Sequence, residues 1–305
     1  NIFGLIREVG RRENPKPFAP IKMACSSNGS ACNSGYCGRN DDDFSRKETR
    51  EAVESNRCAK CGFNLSSMVK TFGGSSLCTG CFRSNVYGKF RLAVTSHAMI
   101  TPSDNVLVAF SGGSASRVAL QFVHELQQKK QESFDASKER ALRVFGYSVV
   151  FVDERVVYPC STNDFDIAIQ EVRSIVLNLV PPPKNVHVIP IENIYASDLG
   201  DEKEKFVALL NSVEDETGKE DIVQHLRMMA LQKVGVENGY TKIILGSCTS
   251  TISRHVLAET VKGNGYSLPA DIHYVDARWP VPVTLPLRDC TSSELISICD
   301  LDGAV

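Results

Sequence analysis

Four cysteines carry the plainest chemistry in the sequence. "RCAKCG" and "LCTGCF" set Cys58, Cys61, Cys78 and Cys81 as two Cys-x-x-Cys pairs, with sixteen residues between the pairs. Each short pair lets two thiolates face one ion from a tight turn, and the spacer returns the chain to complete a tetrahedron around zinc. Gly62 and Gly80 suit such turns. Four thiolates leave no open coordination position, so the expected zinc is structural rather than catalytic.

A second stretch could hold phosphate. In "VLVAFSGGSASRVALQF" an apolar strand, Val106 to Phe110, runs into Ser111-Gly112-Gly113-Ser114-Ala115-Ser116, and a helical pattern through Val118, Phe122 and Leu126 follows at once. A strand, a Gly-Gly turn and a helix N-terminus direct backbone N–H groups and the positive end of a helix dipole at an anion. On its own, such a Ser/Gly-rich turn is equally a plain strand-to-helix connection.

Other residues are weaker candidates. Asp153 and Glu154 end a second apolar run, where a residual acidic role and a solvated loop pair are both open readings. Cys248 follows another apolar run at the end of a sheet where ligands gather, and reads first as a buried thiol packing like a small apolar residue. His97 reads as an ordinary surface or core histidine. Cys25, Cys32 and Cys37 lie at irregular spacing in a polar leader and read as solvated thiols.

These groups need elements to position them. Over 305 residues, 42% are hydrophobic and 23% charged, and no apolar run approaches the ~18 residues of a membrane-spanning helix; no membrane partner is expected. Eleven cysteines, an odd number with two metal-type pairs, suit a reducing compartment better than a secreted disulfide framework. "NIFGLIREVGRRENPKPFAPIK" carries charges and prolines where a secretory signal needs an apolar stretch, and residues 1–22 read as an upstream extension.

Charge is unevenly distributed. The net charge is −2, yet Arg57 to Ser103 holds six basic residues (Arg57, Lys60, Lys70, Arg83, Lys89 and Arg91) and no acidic one. A basic module on an acidic body is how a nucleic-acid footprint is often laid out. The expected organisation is a disordered leader over 1–56, a four-cysteine zinc module with a basic helix over 57–100, and an α/β domain over 101–305. Val86, Phe90 and Val94 share one face of that helix. Beyond Pro102, short β-branched runs (Val106–Phe110, Val144–Val152, Val186–Ile191, Lys242–Leu245) alternate with helical patterns near 164–178, 220–237 and up to Val261. This alternation predicts a doubly wound, mostly parallel sheet covered on both faces. The charged stretches around "ASDLGDEKEKF" and "NSVEDETGKED" read as solvated loop around a short helix.

The loop, taken with its neighbours, resembles the PP-loop ATP pyrophosphatase family, whose motif is Ser-Gly-Gly-x-Asp-Ser. Ser111, Gly112, Gly113 and Ser116 match; Ala115 stands where the aspartate belongs. The four-cysteine module before the loop, "FRSNVYGKFRLAV", "VFVDE", "GYTKIILGSCTS" and "LPLRDCTSSEL" extend the resemblance, in order, to the subgroup that thiolates tRNA. The resemblance implies a cytoplasmic, ATP- and Mg-dependent reaction forming 5-methoxycarbonylmethyl-2-thiouridine. The uridine C2 oxygen is adenylated with loss of pyrophosphate, and sulfur from a thiocarboxylated ubiquitin-like carrier displaces AMP. It also implies that Arg83, Lys89 and Arg91 contact tRNA.

This chain departs from that pattern three times. The loop aspartate is gone, Gly246 to Ser250 carries none of the acids expected there, and "VEDETGKEDIVQHLRMMAL" holds no cysteine where catalytic relatives carry a Cys-x-x-Cys. The resemblance is therefore to the non-catalytic partner of a wobble-uridine thiolase, forming a heterodimer with a catalytic PP-loop subunit. An independent ATP-using enzyme and a zinc-ribbon nucleic-acid binder on an inert α/β body are the alternatives. The ending "ICDLDGAV" suggests a truncated chain.

Overall fold

The computed structural model describes residues 57–63, 68–70, 74–137, 143–157, 162–195 and 202–303. The expected leader over 1–56, with Cys25, Cys32 and Cys37, lies outside them. The described residues fall into two compact units, one up to Phe82 and one from Arg83 onward.

In the first unit, β1 (Met68–Lys70) pairs antiparallel with β2 (Ser76–Cys78), placing Met68 opposite Cys78. The short strand and return expected between the cysteine pairs are thus present. The helix α1 (Thr79–Ser96) starts directly after Cys78.

The second unit is a six-stranded sheet wrapped by helices. Its strands are β3 (Asn105–Ala109), β4 (Gly146–Asp153), β5 (Val186–Pro190), β6 (Lys242–Ile244), β7 (Val275–Asp276) and β8 (Val283–Thr284). They run in the order β5-β4-β3-β6-β8-β7, all neighbours parallel except the β7–β8 pair. The predicted mostly parallel sheet is present, and its first four strands coincide with the β-branched runs. β7 and β8 were not foreseen, because two residues are too few to show an alternating period.

Side chains alternate across a strand, so Leu107, Val150, Val152, Ile243 and Val283 share one face. There they form a core with Val223, Leu226, Ala230 and Leu231 of α5 (Glu216–Glu237). Val106, Val108, Val149, Phe151 and Ile244 are buried on the opposite face. Phe90 of α1 meets Phe122 of α2 (Ser114–Ala136) at a ring separation of 5.5 Å. Val86, Phe90 and Val94 are all buried, as their spacing predicts.

The remaining helices are α3 (Thr162–Leu177), α4 (Glu202–Asn211), α6 (Thr249–Lys262), the short α7 (Leu268–Asp271) and α8 (Ser292–Leu301). Two corrections concern the charged stretch before α5. It is anchored, because Phe206 of α4 is fully buried, and Asp215 caps α5 by accepting from the Gly218 N–H at 2.7 Å.

Candidate functional site

The four-cysteine site is built by two tight turns. Gly62 takes φ +73, and its N–H donates to the Cys58 carbonyl at 2.9 Å. The second pair spans the end of β2 and the start of α1, where the Cys81 N–H points at Cys78 Sγ at 3.4 Å. One ligand atom from each of Cys58, Cys61, Cys78 and Cys81 lies within 4.8 Å of every other, and the Cys61 and Cys78 sulfurs are 3.8 Å apart. Four sulfurs at about 2.3 Å from one central ion stand about 3.8 Å from each other. The spacing therefore fits a single tetrahedral ion, whereas the body of an iron–sulfur cubane would hold its ligating sulfurs farther apart.

Hydrogen bonds from the backbone of Cys61 and Cys78 lower the Cys58 thiol to about 6, and its neighbour Cys78 pushes the Cys81 thiol up to about 12.

In the second unit, Phe110 extends the sheet by donating to the Val150 carbonyl, and the chain then turns at Gly112 with φ +78. Gly113 is the N-cap of α2 and supplies no side-chain cap. Ser116 closes the loop on itself: its hydroxyl donates to the Gly113 carbonyl at 2.8 Å and accepts from the Ser111 N–H and hydroxyl, each at 3.2 Å. Arg117 Nε donates to the Gly112 carbonyl at 2.9 Å. Ser111, Gly112, Gly113 and Ser116 thus come together as a cradle.

The acidic parts of the site are absent or turned inward. Ala115 offers only a methyl group. After β6, Gly246 lies so close to α2 that a Cβ there would stand 2.7 Å from the Ser116 nitrogen. Two hydroxyls beyond it are engaged: Thr249 donates to the Arg288 carbonyl, and Ser250 accepts from the Ser292 N–H at 3.2 Å. Cys248 is buried, 3.2 Å from the Ser292 hydroxyl and 3.5 Å from that of Thr251. Burial would raise this thiol, but those hydroxyl contacts outweigh it and the pKa falls. Cys248 is therefore hydrogen-bonded, not simply packed like a small apolar residue.

Asp153 and Glu154 correct the solvated-pair reading, since both are almost fully buried. Asp153 accepts from Arg155 at 2.7 Å, and Glu154 takes a two-pronged contact from Arg227, with Nη2 to Oε2 at 2.9 Å. Their carboxylates are committed to arginines.

The basic candidates are also redistributed. Arg83 bridges Glu125 at 3.0 Å and Asp302 at 3.1 Å. Lys89 donates to Glu294 at 2.7 Å and to the Asp289 carbonyl at 3.3 Å. Arg91 is exposed and has no ion pair among the described residues. His97 is an exposed surface residue whose ring stacks on Tyr274 at 3.8 Å.

One feature escaped the sequence reading. A cavity of about 380 Å³ opens beside the end of β6, with Trp279, His225 and Met228 along an apolar side and Ser247, His255 and Asp276 among its polar groups. Trp279 is the chain's single tryptophan, which was the available signal. Its partners come from α5, α6 and the β7–β8 region, too far apart in sequence to be grouped by spacing.

No family model matches the chain. It is 54% identical over 291 residues to cytoplasmic tRNA 2-thiolation protein 2 of Arabidopsis thaliana, covering 92% of this chain and 62% of that protein. It is 50% identical to the protein of the same name from Oryza sativa subsp. indica, covering 82% of this chain and 53% of the relative. The chain thus spans somewhat more than half the length of these relatives. In fold it is similar to the U34-tRNA thiolase NcsA from Methanococcus maripaludis, solved with its [4Fe-4S] cluster, at a TM-score of 0.61 and 15% identity over 81% of this chain and 73% of that one. The α/β unit shares the fold of that solved structure, and over the length it spans the chain is similar to the proteins named cytoplasmic tRNA 2-thiolation protein 2.

Proposed function

We propose that this chain is the non-catalytic subunit of a cytoplasmic tRNA thiolase, paired in a heterodimer with a catalytic PP-loop subunit. The observation that carries this reading is a loop that keeps its closed, cradle-like turn without the carboxylates that the resemblance calls for. Ser111, Gly112, Gly113 and Ser116 keep the loop closed, while Ala115, Thr249 and Ser250 stand where carboxylates would be needed to hold magnesium against phosphates. Asp153 and Glu154 do not substitute, because arginines hold them.

In this reading the sister subunit adenylates the wobble uridine at its C2 oxygen with release of pyrophosphate. The thiocarboxylate sulfur of a ubiquitin-like carrier then adds at C2, AMP leaves, and water cleaves the acyl–sulfur bond, freeing the carrier as a carboxylate. ATP and magnesium belong to the complex rather than to this chain's own loop. The four-cysteine module takes one structural zinc, and the tRNA is met by the basic segment, with Arg91 among its cations that form no ion pair among the described residues.

The test is removal of this chain from cells that keep the sister subunit, followed by quantification of 2-thiouridine at the wobble position. Thiolation should fall sharply, because tRNA positioning and partner stability both suffer. Unchanged thiolation would refute the proposal.

A further inference from the structure

A groove of about 600 Å³ runs between α1 and α2, lined by Arg83, Tyr87, Gly88, Arg91, Glu125 and Lys129 among others. Glu125 is held by Arg83 and, at 2.6 Å, by Lys129, and Arg83 is shared with Asp302. These pairs set the geometry of the groove and leave Arg91 as its cation with no ion pair among the described residues. Lys129 remains about half exposed despite its ion pair.

Tyr87 forms a buried wall of the groove at 7% exposed, and Lys129 lies over its ring, 4.2 Å from the centroid. One further observation points to an occupant, Gly88. A glycine inside a helix costs about 1 kcal/mol relative to alanine, and packing does not require this one, since a Cβ there would meet nothing within 4 Å. Its absent side chain keeps the floor of the groove open for a ligand that approaches the helix backbone closely.

We infer that this groove is a phosphate-binding track for the tRNA backbone, with Arg91 and Lys129 as the principal cations and Gly88 as the point of close approach. The inference rests on the tRNA-binding role proposed above. It moves the contact from Lys89, which Glu294 engages, to Lys129 of α2.

The experiment uses the full chain and an unmodified transcript of a tRNA with a wobble uridine, with binding measured across a salt series. Arg91→Glu combined with Lys129→Glu should weaken binding about tenfold or more and flatten the salt slope by roughly 0.7–0.9 for each phosphate that is no longer neutralised. Gly88→Leu should bind several-fold more weakly while its melting temperature stays level or rises, a combination that a purely structural glycine would not give. Lys219→Glu, on α5, controls for a general change in net charge and should leave the slope unaltered. Wild-type slope and affinity in both groove variants, with the wild-type chain binding tRNA, would overturn the groove alone. If the wild-type chain binds no tRNA either by itself or with its sister, the groove and the tRNA-binding role fall together, while the wobble-thiolation measurement still judges the subunit reading.

Discussion

Ala115 occupies the second position of α2, beside N–H groups that no side chain caps. Converting it to aspartate would restore one carboxylate but none of those missing after β6. Ala115→Asp should therefore confer no thiolation on the isolated chain, as measured by sulfur incorporation into tRNA. Gly246 is the more sensitive position, because its neighbour is the backbone of Ala115 and Ser116 and cannot give way. Gly246→Ala should destabilise the unit by about 1–3 kcal/mol, the usual cost of overpacking, read from the denaturation midpoint. At the four-cysteine site, Cys58→Ser or Cys81→Ser should abolish zinc binding and unfold the module, since so small a unit has little other core; metal content of the purified variants decides this. Among single residues, those cysteines were legible because their relations are local. The roles of Arg83 and Lys89 were not, since Asp302 and Glu294 lie 219 and 205 residues away.

At the level of elements, the start of α8 ties several parts together. Thr291 and Glu294 form a capping box, and Glu294 also receives Lys89 from α1. The stretch "LPLRDCTSSEL" thus works here as a structural joint. Thr291→Ala should cost about 0.5–2 kcal/mol, seen as a lower melting temperature. A second joint holds α7 to β7: Arg278 contacts both Asp271 and Asp276. Hydrogen bonding by Arg278 lowers the Asp276 pKa; burial alone would raise Asp271, but Arg278, together with Ser267 and His255, lowers it on balance. A carboxylate depressed in the folded state contributes stability above its unfolded pKa and loses it as pH falls through the folded value. Arg278→Met should therefore destabilise the protein at neutral pH, and the difference from wild type should shrink at about pH 3. Four strands and the main helices were legible from alternating apolar runs. The hairpin of β7 and β8 and the anchoring of α4 by Phe206 depend on tertiary partners that periodicity does not display.

Across the whole molecule, the losses and the retentions form one pattern. The four-cysteine site keeps a geometry for one tetrahedral ion, and the loop keeps its closed turn. Two acidic positions and one cysteine pair that the resemblance calls for are missing, and after β6 the hydroxyls of Thr249 and Ser250 are bonded into the fold. Decay of a single motif would not leave the rest so well built. The proposed reading, in which a sister subunit performs the reaction, accounts for both halves of the pattern. The family resemblance was legible in sequence because ordered motifs survive at the ends of strands; the cavity beside Trp279 was not, because it is assembled from four distant segments. The most direct measurement is tRNA-dependent pyrophosphate release from ATP by this chain alone, by a catalytic sister alone, and by the two together. The account predicts no release from this chain alone and the highest release from the pair. Release by the isolated chain at a rate comparable to the pair would contradict it.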